Sequence, residues 1–184
     1  NTISQYAPIA VVDLDDYPYL RPETREALEQ STVYFKREIP YNRFVLYHHF
    51  FQNSLRQAQK DEQLTALSAK IQGIPLGIQD EKFSKLRTLH TEKQDIDVFW
   101  AGRISSTMRA KAVEQLIHLQ KTTSWKIVMP TERLSFQDFY QTIARSKVTI
   151  SVEGGGWDCD RHYEAVALGS VPLINRPTVD AVWW

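Results

Sequence analysis

Val148-Thr-Ile-Ser-Val-Glu-Gly-Gly-Gly-Trp-Asp-Cys-Asp-Arg-His-Tyr-Glu-Ala-Val-Ala-Leu-Gly-Ser-Val-Pro-Leu-Ile174 is the stretch that decides the fold. It reads as a buried strand, a glycine turn, a short helix, a glycine stop and a second buried strand. Val148, Ile150 and Val152 alternate with small polar residues, the period of a strand. Gly154, Gly155 and Gly156 allow positive φ and a close approach to a ligand. Asp160 is placed to cap the helix that follows, and Gly169 stands where a left-handed C-terminal cap belongs.

A helix start beside glycines is an anion site in waiting, because its first N–H groups lack partners and carry partial positive charge. Arg161 in the first turn opposes the helix dipole, which is easiest to understand if cation and dipole serve one anion. Glu164, one turn on, faces the same opening and is suited to accept from sugar hydroxyls; the plainer role is to complement the dipole. No Gly-x-Gly-x-x-Gly or Walker pattern is present, so neither an ordinary dinucleotide site nor a P-loop is indicated.

Ser146-Lys-x-x-Ile-Ser, the glycine turn, Asp158 and Arg161-His-Tyr-Glu-Ala-Val-Ala-Leu-Gly-Ser-Val-Pro-Leu-Ile resemble the donor-binding half of exostosin-like glycosyltransferases. The resemblance runs from Leu134 to Ile174 and fades toward the N-terminus. It implies an α/β chain of GT-B type, with two Rossmann-like domains whose parallel sheets face each other across a cleft. It implies that Arg161 and Glu164 lie against the diphosphate and ribose of a UDP-sugar. Gly102, Arg103, Gly154, Gly155, Gly156, Trp157 and Asp158 complete the expected donor-binding set.

Composition sets outer limits. The chain has 184 residues, 42% of them hydrophobic, with 22 basic and 22 acidic side chains. Balanced charge without a basic tract argues against nucleic acid as a partner. Cys159 is the only cysteine, which excludes an internal disulfide and a zinc cluster; between two aspartates it reads as small filler. No apolar run reaches membrane-spanning length and no signal peptide is recognisable. Asn1 leads straight into an apolar strand and the chain ends on Val182-Trp-Trp184, so the expectation is an incomplete chain with a truncated second domain.

In chain order, Ala7–Asp13 reads as a buried strand, and Pro22 opens a helix to about Gln30. Thr32–Arg37 is a second strand, and Phe44–Tyr47 continues the strand pattern after Pro40. Asn53–Ile71 is polar, with Leu64, Leu67 and Ile71 at helical spacing. The resemblance implies that residues 1–78 are part of an acceptor-side domain, 79–95 a linker and 96–184 the donor domain. Within the last, strands at Ile96–Ala101, Trp125–Met129, Val148 and Val171 alternate with helices at Met108–Lys121, after Ser135 and at Arg161. Thr107 is the expected cap of the first of these helices, and Ser135 with Asp138 forms a capping box on the second. There Phe136, Phe139, Tyr140 and Ile143 make the buried stripe. Such a series demands a parallel sheet.

Ligands in open sheets sit outside the carboxyl ends of the strands. That rule brings Gly102 and Arg103 toward the glycine turn, where Arg103 is as well read as a surface charge; Arg109 is within reach but is better read as a surface charge. Trp157 either stacks on a nucleobase or packs on a helix, while Trp100 and Tyr163 belong to the core. Stabilising a departing diphosphate needs fixed dipoles or cations, and an inverting reaction needs a general base. Candidates for the base are Asp13, Asp16 and His49, with Asp15 and His48 beside them, and none stands out. A metal role for Asp13-Leu-Asp15 is set aside, since further ligands are unidentified. Two adjacent histidines on a strand would face opposite ways.

The expected function is transfer of a hexose or hexuronic acid from a UDP-sugar to a glycan or lipid-linked saccharide in polysaccharide biosynthesis. It is expected to be inverting, without metal or other cofactor. A bacterial pathway fits the lack of a disulfide pattern, and the expected location is cytoplasmic, with peripheral association at the inner membrane face. A non-catalytic nucleotide-sugar-binding module and a sugar-nucleotide epimerase of the same fold are the alternatives.

Overall fold

The computed structural model describes residues 7–48 and 62–176, which fall into two compact units. Residues 7–48 and 62–76 form the first together with Gly156–Asp158; Gly77–Gly155 and Cys159–Arg176 form the second. Both are α/β with wholly parallel sheets.

The first unit holds β1 (Ala10–Asp13), β2 (Val33–Lys36) and β3 (Ile71–Gly73) in the order β1-β2-β3. β2 is central, paired from Ala10↔Val33 on one side and Tyr34↔Ile71 on the other, so Tyr34 and Lys36 are buried. β1 is an edge strand with Val12 exposed, not the buried strand expected from its apolar sequence. Pro22 does open a helix: one 3₁₀ turn, Pro22–Thr24, runs into α1 (Arg25–Gln30), because a fixed φ suits the first helical position. Leu20, Leu28, Tyr34, Ile39, Leu46, Tyr47 and Ile71 form the core.

Two further sequence expectations fail in this unit. Phe44–Tyr47 is not a strand but lies in a 3₁₀ turn, Arg43–Tyr47, whose Phe44 N–H donates to the Asn42 side chain at 3.1 Å. A four-residue apolar run cannot by itself tell the two states apart. Of the helix expected from Asn53, α2 (Glu62–Ser68) lies within the described residues. Ile71 is no part of that helix and opens β3 instead.

The second unit begins with α3 (Asp80–Arg87), inside the segment expected to be a linker. Leu86 on α3 is fully buried in the core of this unit. Then come β4 (Ile96–Phe99), α4 (Thr107–Thr122), β5 (Ile127–Val128), α5 (Phe136–Ala144), β6 (Ser146–Ile150), α6 (Asp160–Ala167) and β7 (Val171–Leu173). The sheet order is β5-β4-β6-β7. β4 shows why both faces must be covered. Phe99 points into one cluster with Leu86, Tyr140, Ile143 and Ala165, while Val98 and Trp100 join Leu116, Ile127 and Ile150 in the other. Alternation along one strand thus feeds two apolar layers, as a parallel sheet between helices requires.

Capping follows the sequence in part. Ser135 accepts from the Asp138 N–H at 3.1 Å and donates to its carboxylate at 2.6 Å. On α4 the cap is Ser106, accepting from the Arg109 N–H at 3.2 Å, and not Thr107. Asp160 is the first helical residue of α6 and not its cap; Cys159 occupies that position in extended backbone. Gly169, at φ 79°, ends α6 in the left-handed region, with Ser170 N–H on Ala165 O and Gly169 N–H on Val166 O. Phe136 is exposed and lies outside the buried stripe it was expected to join. β7 is an edge strand with Val171 and Leu173 exposed, and an edge tolerates Pro172.

Candidate anion site at the carboxyl ends of the second sheet

The strand order fixes where a ligand belongs. From β4 the chain crosses to β5 on one side, then returns past β4 to place β6 on the other. The direction of winding reverses at β4, so the loops leaving β4, β5 and β6 surround a topological switch point. A cavity of about 670 Å³ opens there, lined by Ala101, Gly102 and Arg103 after β4, Pro130 to Ser135 after β5, Phe136, Phe139 and Tyr140 of α5, and Arg161 of α6. Its size suits a nucleotide-sized molecule.

Arg161 is the unusual member. Its guanidinium lies 5.4 Å from the centroid of the Phe139 ring, and a methyl on Gly102 would sit 3.5 Å from its Nη1. Burial draws its pKa below the ordinary arginine value, yet a guanidinium stays charged in proteins. Its Nε is buried and has no hydrogen-bond partner. Among the described residues no carboxylate pairs with Arg161, Arg103 or Arg133. Arg161 is half-buried, and a buried N–H of a cation left without a partner is costly. An anion entering the cavity would relieve that cost.

Glu164 does not fill the role of counter-ion. It is buried, and its Oε1 accepts from the Tyr140 hydroxyl at 2.7 Å and from Lys82 Nζ of α3 at 2.7 Å. Burial pulls Lys82 down, but Glu164 and Asp160 together hold its pKa above the ordinary value. Burial and the Glu164 charge both push the Tyr140 hydroxyl strongly up. Sequence reasoning had Glu164 facing ligand hydroxyls; the structure ties it to two neighbours that no local pattern announces.

The glycine turn works by close approach, not by positive φ. Among the described residues only Gly77 and Gly169 have positive φ. A Cβ on Gly154 would collide with the Arg109 guanidinium, which donates to Glu153 O at 3.1 Å and Arg103 O at 3.1 Å. Arg109 is therefore a brace between the loops after β4 and β6. Gly155 is exposed. Gly156, Trp157 and Asp158 belong to the first unit. A Cβ on Gly156 would meet Glu38 Oε1 at 2.6 Å. Trp157 is buried, and Asp158 accepts from Leu76 N–H at 2.6 Å while its own N–H donates to Glu38 at 2.9 Å. Neither is a free contact surface, so the stacking role weighed for Trp157 gives way to packing. Burial pushes the Glu38 carboxyl up, against the N–H groups of Asp158 and Trp157 that draw it down.

The base candidates are mostly engaged. Asp13 accepts from Tyr34 Oη at 2.9 Å, Lys36 Nζ at 3.2 Å and Asp15 N–H at 3.0 Å. Asp15 pairs with Arg21 at 2.6 Å, and Asp16 pairs with Arg37. His48 follows the 3₁₀ turn and is exposed, not on a strand; His49 lies outside the described residues. Among the described residues no three His, Cys, Asp or Glu side chains are placed to hold a metal ion, and no helix is long and apolar enough to cross a membrane. Cys159 is more than filler. Its Sγ lies 3.5 Å from His162 Nδ1 and 3.6 Å from Ser151 Oγ. Burial raises the thiol, but the His162 and Ser151 contacts and the Arg161 N–H draw it below the usual value overall.

Trp100 is buried as expected, and Tyr163 is half-buried. Arg133, Phe136 and Lys82 were missed from the sequence, because their relevance depends on which loops the sheet order brings together. No curated protein matches the chain. Residues 101–181, which contain the cavity, match the family model of the RXYLT1 C-terminal domain, and this match links that part of the chain to the exostosin-like glycosyltransferases.

Proposed function

We propose that the chain contains the donor-binding part of an inverting, metal-independent glycosyltransferase of GT-B type, which moves a hexose or hexuronic acid from a UDP-sugar to a glycan acceptor. The observation that carries the reading is Arg161, half-buried, with no carboxylate partner among the described residues and a buried Nε without a hydrogen bond, in a cavity at the sheet's switch point. The linkage of residues 101–181 to glycosyltransferases supports the class of chemistry. In such a transfer the bond between the anomeric carbon and the diphosphate oxygen breaks, and negative charge gathers on the leaving group. Arg161 would take that charge in a bidentate grip, with Arg103 and Arg133 at the rim. A low-polarity floor of Phe139 and Tyr140 strengthens the interaction by excluding water. The acceptor hydroxyl attacks from the opposite face and gives its proton to a base.

Engagement of Asp13, Asp15 and Asp16 in ion pairs favours a second reading, a nucleotide-sugar-binding module without catalysis. One experiment separates the two. The protein is incubated with UDP-glucose, UDP-galactose, UDP-glucuronate and UDP-N-acetylhexosamines, with EDTA present, and UDP release is followed with and without saccharide acceptors. Transfer or slow donor hydrolysis that disappears in Arg161→Ala supports the transferase. Binding without any release supports the module. Conversion of free donor to its epimer, visible in the anomeric proton signals, would overturn both.

A further inference from the structure

On α6, Arg161 and Glu164 stand three residues apart, the spacing at which helical side chains become neighbours. An ion pair between them would be the simplest way to settle a buried carboxylate and a half-buried guanidinium. It is not made. Both donors available to Glu164, the Tyr140 hydroxyl and Lys82 Nζ, meet the same oxygen, Oε1, at 2.7 Å each. Arg161 is left with its Nε unpartnered beside the cavity. Lys82 comes from α3, which packs its buried Leu86 against Ala165, Ala167 and Leu168 of the α6 region. That packing brings the ammonium to Glu164 and, at 3.7 Å, to Asp160. Tyr140 alone could not hold the carboxylate, since a neutral hydroxyl leaves its charge unbalanced in a buried place.

We propose that Lys82 is a positioning residue of the anion site: with Tyr140 it holds Glu164 off Arg161 and so keeps the guanidinium free for a nucleoside diphosphate. The proposal rests on the reading of the cavity as a diphosphate site. Lys82 touches no ligand in this account and acts only through Glu164. Without it the carboxylate turns to the nearest remaining cation, Arg161, and the binding-competent fraction of the protein falls.

The test is a double-mutant cycle read by calorimetric titration with UDP and with inorganic pyrophosphate. Wild type, Lys82→Met, Glu164→Gln and the double variant are compared, with melting curves to establish that each is folded; Lys82→Gln replaces Lys82→Met if the latter does not fold. Lys82→Met is expected to weaken binding about tenfold by lowering the competent fraction. In the Glu164→Gln background the same substitution is expected to change affinity by less than about twofold, because no carboxylate is left to capture Arg161. Lys82→Arg should retain most of the affinity. An equal loss in both backgrounds would show Lys82 to be a plain attracting charge or a ligand contact, and no loss in either would show it to be a surface ion pair; each overturns the proposal. Failure of wild type to bind either probe would instead remove the diphosphate reading on which it stands.

Discussion

Arg161 enters the first turn of α6, where the helix already presents positive charge, and among the described residues no carboxylate forms an ion pair with it. Natural chains rarely leave such an arrangement unless it serves a ligand, since about one kcal/mol or more is given up for each buried polar group left without a partner. Glycine acts differently at different positions. Gly154 makes room for the Arg109 brace, whereas Gly169 is required by its φ of 79° and by His90 Nε2, 2.6 Å from where a Cβ would stand. Gly169→Ala should therefore cost about 1–2 kcal/mol in urea denaturation, from left-handed strain and a displaced His90; an unchanged midpoint would contradict this. Cys159 offers a second residue-scale check. With its thiol drawn below the unperturbed value of 9.0, the thiolate forms at lower pH than in a free cysteine. The rate of alkylation by iodoacetamide should rise with a midpoint below that value, and His162→Ala should move the midpoint upward. An unshifted profile would show that His162 does not stabilise the thiolate. From the sequence, Arg161 was readable because strand, glycines and helix are contiguous. The partner of Glu164 was not, because Lys82 lies on another helix and only packing joins them.

At the scale of elements, the long periodic segments were the ones that could be read. β4, α4, α5, β6 and α6 all form where alternation or helical spacing places them, with Ser135 and Gly169 as their punctuation. Short apolar runs carry no such information. Phe44–Tyr47 has strand-like composition, but Asn42 accepts from the Phe44 N–H of a 3₁₀ turn. Ile71-Gln-Gly73 is too brief to announce β3, and exposure of Val12, Val171 and Leu173 depends on strands being at an edge, which no local pattern records. α3 is the most instructive case. Its segment is mostly charged and Phe83 is exposed, yet Leu86 is wholly buried in the cluster with Phe99, Ile143 and Leu168. Leu86→Ala should lower stability by about 2–5 kcal/mol, the cost of a cavity in a packed core. A loss below about 0.5 kcal/mol in chemical denaturation would mean that α3 is an appendage, and the support of Lys82 would weaken with it.

For the molecule as a whole, alternating strands and helices predicted parallel sheets, and both units have them. The order β5-β4-β6-β7 is set by which crossovers pass over which face. It is this order that draws Arg103, Arg133 and Arg161 to one cavity. We propose that this cavity binds the diphosphate of a nucleotide sugar through Arg161, without metal. Calorimetric titration with UDP in the presence of EDTA, for wild type and Arg161→Ala, tests it most directly. Binding is expected in wild type, with a loss of about a hundredfold or more in the variant, from a charge-assisted pair removed in a partly buried setting. Equal affinity in the two proteins, or no binding by a folded wild type, would contradict it.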